Sequence, residues 1–246
     1  VGNYGVLTPD IEADALKTLE LNVEPTSTQI LPRDRLAKLI SINGLLACAI
    51  ERISLEIRHL HRSEVGELHE GFKQGQKGSS TMPHKKNPIS TENLCGVARV
   101  IRGHVQLSME NTLLWHERDI SHSSVERGIA PDSTIHLDFA LHRLAGVIEN
   151  LVVYPENMQA NMDKLGGLHN SQRILIALTQ KGVSREDSYR LVQRNAMKVW
   201  RGEGTFLDFL AADDEVNSRL TREELAGFFD LDYHFARVDE IFSRIF

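Results

Sequence analysis

The sequence predicts an all-α protein: a bundle of long helices followed by a smaller helical C-terminal domain. Three observations carry that reading. Apolar residues recur at three- and four-residue spacings along three long stretches between residues 33 and 153. The helical stretches beyond residue 154 are shorter. No stretch shows the sustained apolar–polar alternation of a half-buried strand. The domains are read as 1–153 and 154–246, with Tyr154-Pro155 at the boundary.

Residues 1–32 are interrupted by Gly2, Gly5, Pro9, Pro25 and Pro32, leaving room for one helix over 9–21 with Asp10 in its first turn. Pro25-Thr26-Ser27-Thr28-Gln29 is a polar loop. From Arg33, the residues Leu36, Leu39, Ile40, Leu46, Ile50, Ile53, Ile57 and Leu60 define a long amphipathic helix, widened by Ile42, Leu45 and Ala49. A helix apolar over so much of its circumference belongs inside a bundle. The pattern then loosens from Glu64 to Gln76. A second long helix follows Pro88 and runs to about Asn111, carrying Leu94, Val97, Ala98, Ile101, Val105 and Leu107. After a polar connection over 112–123, a third long segment covers 124–153. Pro131 is expected to kink it, because proline removes a hydrogen bond and clashes one turn back. Shorter helices are predicted over 155–165, 168–181, 185–201, 205–211, 221–229 and 234–246. Ser184 and Thr221 are N-caps, the latter in a capping box with Glu224.

Composition narrows the function classes. With 246 residues, 41% hydrophobic and 25% charged, the chain can bury a sizeable core, and one or two domains fit its length. A net charge of -6 argues against a general nucleic-acid binder. No apolar run reaches bilayer-spanning length, no signal peptide opens the sequence, and no membrane partner is expected. Cys48 and Cys95 sit in helical patterns without a spacing motif and are read as buried thiols, which points to a reducing cytoplasm. His59, His61, His69, His104, His136, His142, His169 and His234 match no ligand spacing, so structural or solvated roles are expected and no metal or cofactor is predicted.

One stretch stands apart: Gly78-Ser79-Ser80-Thr81-Met82-Pro83-His84-Lys85-Lys86-Asn87-Pro88, between two long helical patterns. Its small residues let the backbone bend and approach a ligand closely. Lys85 and Lys86 supply positive charge, and Asn87-Pro88 reads as an N-cap followed by a first-turn proline. A helix N-terminus beside two lysines favours anions, since orphan N–H groups and the helix dipole act together. Either Ser79 or Ser80 can supply a hydroxyl. A second cluster lies in 115–127, where Arg118, Ser123 and Arg127 form a candidate phosphate grip: guanidinium forks match phosphate oxygens, and a hydroxyl near a helix start adds a donor. His122 stands beside it, as a helix-capping, supporting or catalytic group.

The stretch GSSTMPHKKNP resembles the signature loop of the fumarase/aspartase superfamily, whose members eliminate fumarate from succinyl-bearing substrates. WHERDISHSSVER, the histidine at position 84, Ser27-Thr28-Gln29 and Tyr154-Pro155-Glu156-Asn157-Met158 are similar to the adenylosuccinate lyase branch. The resemblance is densest between Thr26 and Asn195. It implies a carbon–nitrogen lyase acting on a succinylated purine nucleotide, with Ser79 as the base, Lys85 and Asn87 stabilising the carbanion, and Glu92 supporting the catalytic groups. It further implies that Gln29, Ser80, Thr81, Met82 and Asn87 hold the substrate, while Arg118, Ser123 and Arg127 bind its phosphate. The resemblance also implies a homotetramer with active sites shared between subunits. The motif carrying the family's general-acid histidine is not found here. The expectation is therefore that these residues are the C-terminal portion of a longer enzyme and are inactive alone.

Overall fold

The computed structural model describes residues 2–72, 75 and 79–246, so Val1, Gln76 and Gly78, the first residue of the distinctive stretch, lie outside the described residues. The chain divides into two compact units, Val1–Tyr154 and Pro155–Phe246. Among the described residues the only strands are two-residue segments, and no helix is long and apolar enough to cross a membrane.

The first unit opens with α1, Pro9–Lys17. It stops short of the predicted Leu21 because Glu20 adopts a left-handed backbone (φ 56°) and the Leu21 N–H turns back to Leu16 O at 3.1 Å. Three long helices follow: α2, Asp34–Leu60; α3, Ile89–Glu110; and α4, Ser121–Glu149. Gly44 faces Val105 and Arg58 faces Cys95, so α2 and α3 run antiparallel. Contacts from Arg143 to Asn93 and from Asn111 to His122 make α4 antiparallel to α3.

Their shared core is Ala47, Ile50, Leu94, Ala98, Ile101, Leu137, Ala140 and Leu144. Alanines at the contact let the helices approach closely, and Gly44 goes further: a Cβ there would meet Val105 Cγ2 at 2.6 Å. One buried polar link crosses the core, where Asn43 Nδ2 donates to Ser133 Oγ at 2.9 Å and satisfies both groups away from water.

α4 begins earlier than the sequence suggests: Ile120 takes the cap position, and the Asp119 carboxylate before it accepts from the Ser121 N–H at 2.9 Å. The helix continues through Pro131 to Glu149. The loosened segment after α2 contains β1, Leu68–His69, which pairs antiparallel with β2, Val152–Val153. Two residues are too few to show an alternation in sequence. Cys95 is buried as expected, but Cys48 is exposed, because it lies off the face that α2 turns to α3 and α4.

The second unit contains α5, Pro155–Asp163, a 3-10 turn at Leu168–Asn170, α6, Ser171–Gln180, and α7, Arg185–Trp200. Five short helices follow: α8, Phe206–Ala211; α9, Asp214–Asn217; α10, Arg222–Gly227; α11, Asp232–Phe235; and α12, Val238–Phe242. Its core is Ile174, Leu178, Leu191, Phe206, Leu210, Val216, Leu220 and Leu225, with others around them. Ser184 caps α7, and Thr221 with Glu224 forms a capping box on α10. The short helix α9 was not predicted; Asp213 caps it while also holding Arg194 and Asn195. The helix expected over 234–246 is two short ones, broken around Ala236–Arg237.

Candidate active site

The predicted site residues fall at opposite ends of the three-helix layer. Ser79, Ser80, Thr81, Met82, Lys85, Asn87 and Glu92 lie where α2 ends and α3 begins. Gln29, Arg118, Ser123 and Arg127 lie where α2 and α4 begin. The 22 residues of α3 separate these ends by about 33 Å at roughly 1.5 Å per residue.

At the loop end, Ser79 Oγ accepts two backbone N–H groups, from Thr81 at 3.2 Å and Met82 at 3.1 Å. Two donors aimed at one hydroxyl oxygen favour negative charge on it. Ser80 is exposed, with no comparable pair of donors among the described residues. A cavity of about 700 Å³ opens beside the loop, lined in part by Met82, Lys85, Asn87 and Glu92. Its other wall comes from the end of α2, with Arg58, His59, His61 and Arg62. Arg58 and Arg62 were not singled out from the sequence, and His59 and His61 were expected to be structural or solvated. Their signal was the run Arg58-His59-Leu60-His61-Arg62, basic at four of five positions at the end of a helix. Arg58, Arg62, Lys85 and Lys86 against Glu92 give the cavity a strongly positive lining.

The two lysines differ. The Lys86 ammonium lies 5.7 Å from the centre of the Phe72 ring, and its carbonyl accepts from His61 Nε2 at 2.9 Å. Lys85 faces the cavity, is exposed and makes no ion pair among the described residues. Because a carbonyl can only accept, His61 carries its proton on Nε2. Beside it, the His69 ring lies 4.5 Å from that of His61, and His69 Nδ1 meets the Tyr154 hydroxyl at 3.3 Å. Burial, aided by His61 and Lys86, pushes His69 below the ordinary histidine pKa.

The predicted cap of α3 is corrected. The helix begins at Ile89, Pro88 takes the cap position, and no side chain there caps it. The anion at this helix N-terminus is the chain's own Glu70. Its buried carboxylate accepts from Ser90 N–H at 3.1 Å, Thr91 N–H at 2.7 Å and the Thr91 hydroxyl at 2.6 Å. The first-turn donors expected to attract a ligand are therefore already used.

At the opposite end, the Thr28 hydroxyl donates to Glu117 O at 2.8 Å, tying the Ser27-Thr28-Gln29 segment to the 112–120 connection. Arg33 holds Glu126 through both guanidinium arms, with Nε to Oε1 at 2.7 Å. The buried His122 donates through Nδ1 to Asp119 O, a helix-start role. Hydrogen bonds to Ser121, backbone first, hold the Asp119 carboxyl below its usual range. Arg118 and Arg127 are exposed and make no ion pair among the described residues, so this end presents two uncompensated guanidiniums around the half-buried Ser123. Gln29 is exposed, and its neighbour Thr28 bonds to Glu117, the residue before Arg118.

Comparison with known proteins places this architecture. A family model described as adenylosuccinate lyase C-terminus matches residues 167–245, and one described as lyase matches residues 2–103. The adenylosuccinate lyase of Thermotoga maritima is 50% identical over 244 residues, covering 99% of this chain and 57% of that protein. That of Bacillus subtilis is 48% identical over 245 residues, covering 100% of this chain and 57% of that protein. The chain belongs to the adenylosuccinate lyase family. It spans 57% of the length of these two curated relatives. Among solved structures, the 3-carboxy-cis,cis-muconate lactonizing enzyme of Pseudomonas putida superimposes with a TM-score of 0.76 at 27% identity, over 89% of this chain and 48% of that one. That structure's name differs from the names of the curated relatives, so the helical frame by itself does not specify a reaction.

Proposed function

We propose that this chain supplies two parts of the active sites of a carbon–nitrogen lyase. The lyase cleaves adenylosuccinate, and the succinyl-carboxamide ribotide of purine synthesis, to release fumarate with AMP or the carboxamide ribotide. The observation that carries the reading is the Ser79 hydroxyl, held under two N–H donors, one of them from Met82, which lines a cavity whose charged residues are mostly cationic. Ser79 removes a proton from the succinyl carbon next to a carboxylate. The electron pair left behind spreads into that carboxylate and then expels the nitrogen, forming the double bond of fumarate. Negative charge accumulates at the carboxylate during this step, and in this reading Lys85 and Asn87 stabilise it. The amide donors of Thr81 and Met82 lower the cost of an alkoxide on Ser79, which makes a serine workable as a base. Glu92 supports the catalytic groups, and Ser80, Thr81 and Met82 hold the succinyl end.

Arg118, Ser123 and Arg127 bind the nucleotide phosphate, with Gln29 beside them. A phosphate and a succinyl group on one small substrate cannot span about 33 Å within one copy. The reading therefore requires the loop end of one copy to meet the basic end of another. The exposed apolar residues of the first unit support such packing. Leu39, Ile42, Leu46 and Ile53 stand on one face of α2, each 41–48% exposed, and Val100 and Leu107 alternate with the open Gly96 and Gly103 on α3. The assembly proposed is a homotetramer acting in the cytoplasm without a cofactor.

The test is fumarate release from adenylosuccinate by the intact protein that carries these residues, beside its Ser79→Ala variant. Release lost in the variant with AMP binding retained supports the reading. Release unchanged moves the base elsewhere. No release by the parent protein sends the assignment to another substrate of the superfamily, such as argininosuccinate, or to a helical scaffold without activity.

A further inference from the structure

We propose that Glu70 is a positioning residue for the signature loop: a buried carboxylate that joins the two ends of the loop and sets where Lys85 and Asn87 stand. The inference rests on the lyase reading for its effect on catalysis, and on geometry alone for the clamp. Glu70 is 4% exposed, and a carboxylate is rarely taken out of water unless its oxygens are fully used. Here they are used by Ser90 N–H, Thr91 N–H and the Thr91 hydroxyl, at 2.6–3.1 Å. All three donors lie just after the loop, while Glu70 lies just before it. One side chain therefore closes the base of everything between Gly71 and Ile89.

Both sides of that closure are anchored. Before the loop, β1 pairs with β2, and Tyr154 N–H donates to Glu67 O at 2.9 Å. Gly71 packs so tightly that a Cβ would lie 2.3 Å from Asn150 O. After the loop, Thr91 is fully buried at the start of α3, and its hydroxyl also reaches Pro88 O at 3.2 Å. Within the loop, His61 holds the Lys86 carbonyl from α2. The base is thus rigid, and Lys85 and Asn87 follow three to six residues before the clamped donors. Loss of the clamp frees the α3 N-terminus and shifts the lysine relative to the cavity. A displacement of about 1 Å at a reacting group can cost on the order of 10²-fold in rate.

Glu70→Gln is the decisive variant, since it keeps the shape but loses the charge and one of the two acceptors. In the intact protein, kcat for fumarate release is expected to fall on the order of 10²-fold, with KM and the affinity for AMP unchanged and amide exchange faster across Ser79–Asn87. Thr91→Val removes the hydroxyl donor while leaving both amides, and gives a smaller fall in the same direction; it also serves if Glu70→Gln does not fold. Unchanged kcat and unchanged loop exchange in a folded variant would overturn the proposal. So would a loss in which kcat, AMP affinity and the melting transition all decline together, because that is the mark of a merely structural role. If the parent protein releases no fumarate, the lyase reading fails separately. Loop exchange in the two variants then still decides the clamp: faster exchange supports it, and unchanged exchange overturns it.

Discussion

The two ends of the helical layer are built on opposite principles. At the loop end, several polar groups are paired inside the chain: Glu70 consumes the donors of α3, His61 Nε2 holds Lys86 O, and His69 meets Tyr154. Lys85 lines the cavity and makes no ion pair among the described residues. At the far end, Arg33 and Glu126 pair internally, while Arg118 and Arg127 stay uncompensated at the surface. In the proposed function the first end holds the reacting groups and the second receives the phosphate. The comparison teaches that a helix N-terminus next to lysines is no free anion site when its own chain supplies the anion, whereas the exposed arginines of the far end make no ion pair among the described residues.

The largest expected effect separates the ends by chemistry. Ser79→Ala should lower kcat by on the order of 10²–10⁴, the usual contribution of a general base, while AMP affinity measured by calorimetry stays constant. A parallel loss of AMP affinity would mean that the loop end also binds the nucleotide. The shared middle comes next. Leu94 is completely buried in the core between α2, α3 and α4, and Leu94→Ala should cost about 2–5 kcal/mol in denaturant unfolding. Loss at only one end, read by hydrogen exchange, would show that the ends fold independently.

Smaller in effect, Arg127→Ala should weaken AMP about tenfold to a hundredfold, the range for a charged hydrogen bond, with kcat at saturation little changed. The weakest contrast is in pH. His69 has its folded pKa lowered from 6.5, so the unfolded chain binds its proton more readily. Its contribution is complete above about pH 6.5 and is lost as pH falls through the lower folded value. Hydrogen exchange around β1 should therefore rise on acidification before it rises around Thr28 and Glu117. Equal rises at the two ends would remove His69 as the cause.

Much of the frame was legible in the sequence because its signals are local. The apolar spacing from Leu36 to Leu60 and from Leu94 to Leu107 gave α2 and α3, and Ser184 and the Thr221–Glu224 box gave their helix starts. What escaped depends on distant partners. Glu70 caps a helix twenty residues away, so nothing near Pro88 announces it. The β1–β2 pair joins residues more than eighty apart through two residues each. His61 and His69 carry no ligand spacing, yet the fold sets them beside the loop. The roles of Ser79 and Lys85 came from family resemblance. Residue chemistry alone leaves Ser79 and Ser80 equivalent; the pair of amides from Thr81 and Met82 on the Ser79 oxygen is visible only in the fold.

The most direct test of the account is subunit complementation. Ser79→Ala and Arg127→Ala variants of the intact protein, each impaired alone, are dissociated, mixed and reassembled, and fumarate release is measured. If loop end and basic end meet only between copies, mixed assemblies contain some sites with both groups intact, and activity rises well above that of either variant. Activity in the mixture no greater than the average of the two variants would contradict a site shared between copies.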